Sequence, residues 1–331
     1  MIMKKALAIP KQRTTLLVIA VLFAFQSYHA FQSSRCKLMM QLDNPAQKLR
    51  GLLANGKILT MPCCYDGLTA KMVESAGFPL TFMTGYGVSA VHGFPDTQLI
   101  SYGEMVDTAR KICAVLDNIP CIGDGDTGYG NAINMERTVK GYAQAGLAGI
   151  MIEDQVSPKR CGHTKGKAVV GRDEAFRHVR AACNARDRGR DIVIMARTDA
   201  RGTDSFEEAI YRCQKFREIG ADITFLEAPQ SIEEMKEYCR QVEGPKLANM
   251  LEYGQTPILP PKELEAMGYS IAAYPLTLLS ASIKAQQEAL RRLAAEEPVD
   301  ELIVDFAECR RVVGFDDYYE LEEKYKGNFE D

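Results

Sequence analysis

The sequence predicts an α/β protein, a (β/α)₈ or TIM barrel with extra helices at its C-terminal end. Eight short apolar runs alternate with amphipathic helical stretches from about residue 57 onward. Polar residues gather directly after almost every run, and several helical stretches stop at a glycine before the next run begins. The 331 residues, 46% hydrophobic and 25% charged, supply ample material for such a core. A formal net charge of −4 gives no global attraction to nucleic acid or to an anionic membrane. An anionic substrate would therefore need local cations.

Residues 1–45 read as a presequence. Lys4, Lys5, Lys11 and Arg13 precede the apolar run Leu16 to Phe25, and Ser27-Tyr28-His29-Ala30 ends in a small residue, the order of a secretory signal. The run is short for a membrane span, so a mature form free of the membrane is expected. The next segment, Phe31-Gln32-Ser33-Ser34-Arg35-Cys36-Lys37, is basic, and no acid appears until Asp43. This order resembles the bipartite presequence of algae with complex plastids. It points to a plastid, with the secretory pathway as the alternative.

The apolar runs are Ile58 to Met61, Leu80 to Thr84, Cys121 to Gly123, Gly149 to Ile152, Ile192 to Ala196, Ile223 to Leu226, Leu247 to Met250 and Ile271 to Tyr274. Their brevity suits buried strands. Helical periodicity marks Met135 to Gln144, Glu174 to Arg186, Phe206 to Ile219 and Ile232 to Gln241 between them. Gly77, Gly146, Gly220 and Gly268 supply helix stops. A last barrel helix around Leu276 to Leu293 completes a catalytic barrel over 46–295. Beyond Pro298, a stretch near Glu301 to Val312 and a Tyr-rich tail form a helical extension, 296–331. A doubly wound open sheet would alternate in the same way. Its nucleotide fingerprint belongs after the first strand, where this chain reads Met61-Pro62-Cys63-Cys64-Tyr65-Asp66.

Asp66, Thr84, Asp124 with Asp126, Glu153, Arg197 with Asp199, Glu227 and Asn249 follow the apolar runs, where barrel enzymes place their chemistry. In Asp124-Gly125-Asp126-Thr127-Gly128, two carboxylates two residues apart at a strand end are expected to point to one side and share a hard cation. Asp66, Asp124, Asp126 and Glu153 at one mouth would repel one another without a divalent ion. Asp66 could instead cap the helix after it. Mg²⁺ suits such oxygen ligands, with Mn²⁺ as a substitute, and the scarcity of histidine weighs against zinc. In Lys159-Arg160-Cys161-Gly162-His163, Cys161 lies between cations and glycines, an environment that perturbs thiol ionisation and permits loop closure. The ten cysteines show no zinc-finger spacing, and most read as buried small hydrophobes.

Together with Glu153-Asp154-Gln155 and Ala196-Arg197-Thr198-Asp199, these two motifs resemble the isocitrate lyase and phosphoenolpyruvate mutase superfamily. Tyr65-Asp66-Gly67-Leu68-Thr69-Ala70, Asn249-Met250-Leu251-Glu252 and Ala273-Tyr274-Pro275-Leu276-Thr277 extend the resemblance toward its plant branch of carboxyvinyl-carboxyphosphonate phosphorylmutase-like and petal death proteins. It runs from about Gln47 to Tyr325. The resemblance implies that Asp124 contacts Mg²⁺ directly, while Asp66, Asp126 and Glu153 hold it largely through water. It places Thr84, Gly85 and Tyr86 on a substrate carboxylate, Arg197 as a carboxylate clamp, and Glu227 and Asn249 on the substrate. Lys159 would adjoin the metal cluster. It further implies exchange of C-terminal helices between subunits and a homotetramer.

The superfamily's lyases carry Lys-Lys/Arg-Cys-Gly-His in this loop, whereas its authentic mutases have a cysteine-free one. The implied reaction is cleavage of a carbon–carbon bond in a small 2-hydroxy dicarboxylate or tricarboxylate, of 2-alkylmalate or 2-methylisocitrate type. An enolate results and must be protonated at carbon, for which a loop thiol is a suitable acid. Gly162 and Gly166 offer hinge freedom, His163 could orient the thiol, and Lys165 and Lys167 could meet substrate charge. Thr277 falls where oxaloacetate-hydrolysing members carry a hydroxyl, keeping that activity open. The alternatives are a phosphonomutase, which needs no Cys161, and a keto-acid binder without turnover.

Overall fold

The computed structural model describes residues 44–162 and 166–326; most of the expected presequence, His163 and Lys165 lie outside the described residues. Eight strands form one parallel sheet: β1 (Leu59–Cys64), β2 (Thr81–Met83), β3 (Cys121–Asp124), β4 (Gly149–Glu153), β5 (Val193–Thr198), β6 (Ile223–Leu226), β7 (Leu247–Asn249) and β8 (Ile271–Tyr274). Their order is β6-β5-β4-β3-β2-β1-β8-β7. A parallel bridge between Thr224 and Lys246 joins the two ends, so the sheet closes into the expected barrel.

Strand alternation divides the side chains into two cores. Met61, Phe82, Ile122, Met151, Met195, Phe225 and Leu247 face inward and pack together. Cys64, Met83, Ile150, Ile152 and Ile194 face outward against the helices. A helix not legible as such in the sequence, α1 (Pro45–Ala54), contributes Ala46 and Leu49 to the inner core. Asn44 caps it through the amides of Ala46 and Gln47. A Cβ on Gly149 would stand 3.3 Å from Leu49 Cδ2, so α1 plugs the barrel at the strands' N-terminal ends.

The remaining barrel helices are α2 (Gly67–Ser75), α3 (Gly85–Val91), α4 (Tyr102–Cys113), α5 (Ala132–Gln144), α6 (Arg172–Asp187), the single turn α7 (Ala200–Thr203), α8 (Phe206–Ile219), α9 (Ile232–Gln241), α10 (Pro261–Met267) and α11 (Thr277–Ala294). Gly77, Gly146, Gly220 and Gly268 all have positive φ at or just after helix ends, the role the sequence assigns them. β1 and β5 run past their expected stretches because the residues beyond still find ladder partners, as Cys64 does opposite Met83 and Arg197 opposite Phe225. Helices α12 (Phe306–Val313) and α13 (Phe315–Tyr325) follow a 3₁₀ turn at Asp300–Leu302. Neither contains a buried residue, and Phe306, Tyr318 and Leu321 are exposed. No disulfide joins any two of the nine described cysteines, five of which are buried. No described helix is long and apolar enough to cross a membrane.

Candidate active site

Six of the eight inward-facing series end in a polar residue at the strand's C-terminal end. Phe82 is followed by Thr84, Ile122 by Asp124, Met151 by Glu153, Met195 by Arg197, Phe225 by Glu227 and Leu247 by Asn249. A period of two therefore turns apolar core into reactive mouth without any change of face. A cavity of about 80 Å³ opens there, and Thr84, Tyr86, Asp124, Lys159, Cys161, Gly162, Arg197, Glu227 and Asn249 all line it. Its floor includes Met61, Phe82, Met151 and Phe225.

The acids divide according to environment. Asp124 faces the cavity, with Oδ1 accepting from the Asp126 amide at 3.0 Å and Oδ2 from the Gly85 amide at 3.2 Å. Tyr142 donates to its carbonyl at 2.6 Å. Asp126 does not share the face of Asp124 by strand alternation, as the spacing suggests, because β3 ends at Asp124 and Asp126 has φ 47°. Its carboxylate accepts from Tyr129 at 2.9 Å and pairs with Lys159 Nζ at 3.0 Å. Burial pushes the Asp126 carboxyl up to about 6, against the pull of Lys159. Asp66 caps α2, its Oδ1 accepting from the Thr69 amide and hydroxyl, and it does not line the cavity.

Glu153 tests whether a cation fits. Both its carboxylate oxygens are buried without a hydrogen bond, and burial pushes its pKa well up. Its nearest cation is Arg197, with Nε 3.3 Å from Oε2. A buried carboxylate with an ion pair but no hydrogen bond is incompletely satisfied, and a hydrated divalent ion would complete it. Among the described residues, no three Asp, Glu, His or Cys side chains form a ready-made metal cage. The side chains of Asp124, Asp126 and Glu153 offer carboxylate oxygens, the donor type a hard divalent ion such as Mg²⁺ takes.

Lys159 is the buried cation of this cluster, 2.6 Å from Asp96 and 3.0 Å from Asp126. Burial opposes its charge, but Asp126, Asp124, Asp96 and Glu153 outweigh that and hold its pKa well above the usual value. Arg197 is clamped from three sides. Its Nε and Nη2 donate to Asp199 at 2.8 and 3.1 Å, and Nη1 lies 3.1 Å from Glu227. The guanidinium also stands over the Phe225 ring, 5.2 Å from its centroid. Burial works against this charge too, yet Asp199, Glu153 and Glu227 keep it protonated. Asn249 donates to Glu227 at 3.3 Å, completing this side.

Some expected substrate groups are engaged elsewhere. The Gly85 N–H is directed at Asp124, and Thr277 is exposed, with its hydroxyl donating to Glu252. Pro275 and Leu276, rather than Thr277, line the cavity. Lys167 meets Asp199 and the Gly162 carbonyl, not open space. Residues that sequence reasoning missed hold the loop. Gln98 accepts from the Lys159 amide and Ser157 hydroxyl, both at 2.9 Å, and donates to Thr127 at 2.9 Å. Gln155 accepts from the Arg160 amide at 3.0 Å and donates to its carbonyl at 2.8 Å, as a neighbouring strand would. Asp96, the partner of Lys159, lies in a stretch whose Pro95-Asp96 reads as an ordinary turn.

A closed barrel whose strand ends bring acids, a clamped arginine and a loop cysteine to one cavity defines a barrel enzyme with its chemistry at the C-terminal mouth. The chain belongs to the phosphoenolpyruvate mutase and isocitrate lyase superfamily, since the family described as phosphoenolpyruvate phosphomutase matches residues 49–294. It is 42% identical over 286 residues to the 2,3-dimethylmalate lyase of Eubacterium barkeri, covering 85% of this chain and 98% of that one. The solved structure of oxaloacetate acetylhydrolase with 3,3-difluorooxalacetate matches with a TM-score of 0.82 and 35% identity, covering 87% of this chain and 99% of that one. Phosphonopyruvate hydrolase in complex with oxalate and Mg²⁺ matches with a TM-score of 0.77 and 27% identity, covering 86% and 100%. The superfamily expected from the motifs and the barrel expected from the alternation are therefore established.

Proposed function

We propose that this enzyme is a carbon–carbon lyase for a small 2-hydroxy dicarboxylate or tricarboxylate of 2-alkylmalate or 2-methylisocitrate type, with oxaloacetate hydrolysis as a neighbouring activity. The observation that carries the reading is that Cys161, Arg197 and Asp124 face the same small cavity. The likeness to a dimethylmalate lyase and to an oxaloacetate acetylhydrolase supports the substrate class.

Arg197, kept cationic by its three acids, would receive a substrate carboxylate in the two-pronged manner its planar head permits. Thr84 and Asn249 would orient the rest of the acid. The 2-hydroxyl proton leaves to a base, a role open to Tyr86, to a carboxylate at the cavity or to a bound water. The carbon–carbon bond breaks, its electron pair staying on the departing carbon as an enolate. Cys161 then gives its thiol proton to that carbon, and the thiolate regains a proton from solvent when product leaves. Mg²⁺, or Mn²⁺ in its place, would be held by Asp124, with Asp126, Glu153 and the uncapped oxygen of Asp66 reaching it through water, and would supply Lewis acidity at the substrate oxygens.

Release of pyruvate or glyoxylate from alkylmalates and 2-methylisocitrate, measured with Mg²⁺ for the native chain and for Cys161→Ser, tests the reading. Loss of a positioned acid is expected to lower kcat by roughly a hundredfold or more. No turnover of any such acid, or unchanged turnover in the variant, refutes it. A phosphonomutase or a non-catalytic binder would gain nothing from a thiol at the cavity. The proposal extends to a homotetramer, supported by the exposed apolar side chains of α12 and α13 and checked by sedimentation. Delivery to a plastid, with the secretory pathway as the alternative, is checked by a fluorescent fusion of residues 1 to 50.

A further inference from the structure

Lys167 is 6% exposed at its side chain and bridges two elements. Its Nζ donates to the Gly162 carbonyl at 2.6 Å and to Asp199 Oδ1 at 2.8 Å. Asp199 is the carboxylate that holds Arg197, and its own amide donates to Asp154 at 2.9 Å. Asp154 is in turn fixed by Arg212 at 2.9 Å and Thr198 at 2.6 Å. On the opposite side, Gly162 approaches Arg197 so closely that a Cβ would stand 2.2 Å from Nη2. The backbone directly after Cys161 is thus attached to the same buried acid that holds the arginine.

Resting on the lyase reading above, we propose that Lys167 is a positioning residue for proton delivery. Through the Gly162 carbonyl it sets the place of Cys161 relative to Arg197, with Asp199 as the common anchor. An ammonium-to-carbonyl bond in a water-poor setting is short and directional, and without it the Gly162 backbone beside Cys161 loses its tie to Asp199. Misplacement of a reacting group by about 1 Å costs on the order of a hundredfold in rate. The charge of Lys167 is therefore used inside the protein, leaving Arg197 to meet the substrate.

Lys167→Gln and Lys167→Arg in the full chain test this by two readouts. With 2,3-dimethylmalate as the probe, the glutamine variant should lose roughly tenfold or more in kcat with KM changed less than about threefold. Its solvent deuterium isotope effect on kcat should rise as carbon protonation slows, and the arginine variant should recover part of the rate. Independently of turnover, alkylation of Cys161 by iodoacetamide, followed on its peptide by mass spectrometry, should accelerate roughly fivefold or more in Lys167→Gln. Buried Cys64 serves as the reference for an intact fold. If the glutamine variant does not fold, Lys167→Arg is judged by the same alkylation rate, which should exceed that of the native chain. An unchanged alkylation rate, or a loss confined to KM with an unaltered isotope effect, overturns the proposal. Should the native chain cleave no acid, the lyase reading falls while the alkylation comparison still decides whether Lys167 holds Cys161.

Discussion

Replacing Gly85 by alanine would test whether the placement of Asp124 governs the chemistry. Gly85 opens α3 with ordinary helical geometry, so alanine meets no backbone strain there. Its Cβ, however, would stand 2.6 Å from Asp124 Oδ2 and 3.1 Å from Cγ. Ordinary contact begins near 3.4 Å, so the carboxylate must withdraw by about 0.8 Å or the helix must shift by as much. Withdrawal also stretches the 3.2 Å bond from the Gly85 amide. Overpacking of this kind costs about 1–3 kcal/mol of stability. A displacement approaching 1 Å at Asp124, the proposed direct ligand of the cation, should lower kcat/KM by roughly a hundredfold. The assay is lyase activity titrated with Mg²⁺, where the half-saturating concentration should rise. Gly149→Ala is the control, because its Cβ meets Leu49, Ile122 and Val193 at the opposite end of the barrel at 3.2–3.3 Å. It should lower the melting temperature and leave the Mg²⁺ dependence alone. Equal Mg²⁺ curves for Gly85→Ala and the native enzyme would refute the reasoning.

Two further outcomes follow from buried charge. Arg212→Met should destabilise the fold by about 3 kcal/mol, measured by urea unfolding, because it leaves Asp154 and Glu208 without the cation that now lies 2.9 and 2.7 Å from them. A loss below about 0.5 kcal/mol, the ordinary surface effect, would contradict it. His178 on α6 has its pKa lowered chiefly by burial, with Arg177 adding to the fall and Glu174 opposing it. The unfolded chain therefore binds its proton first, so this contribution is complete above the ordinary histidine value and is lost as pH falls below it. His178→Gln should flatten the decline in urea midpoint between about pH 7 and pH 5; an identical slope in both proteins would exclude His178 as its source.

Much of the site was legible because alternation in strands is rigid. Once Ile122 is inward, Asp124 must be inward; the same holds for Met195 and Arg197, and for Phe225 and Glu227. Loop residues obey no such rule. Asp126 lies two residues beyond Asp124 but in a left-handed turn, so its partners are Tyr129 and Lys159. Asp66 reads equally as ligand and as cap, and its capping partner is the nearby Thr69. Gln98 carries no charge and stands in no motif, and although Gln155 belongs to Glu153-Asp154-Gln155, that motif does not reveal its two bonds to the Arg160 backbone.

By itself the sequence determined the eightfold alternation, the glycine stops and the series of polar residues that end the inward faces, all set by backbone geometry over a few neighbours. Only the tertiary structure decided which groups share the cavity, that Thr277 turns to Glu252, and that Lys167 is tied to Asp199 32 positions away. The physical reason is that a strand fixes the face of each side chain locally, whereas a loop's direction is fixed by whichever distant donor, acceptor or charge it meets when the barrel closes.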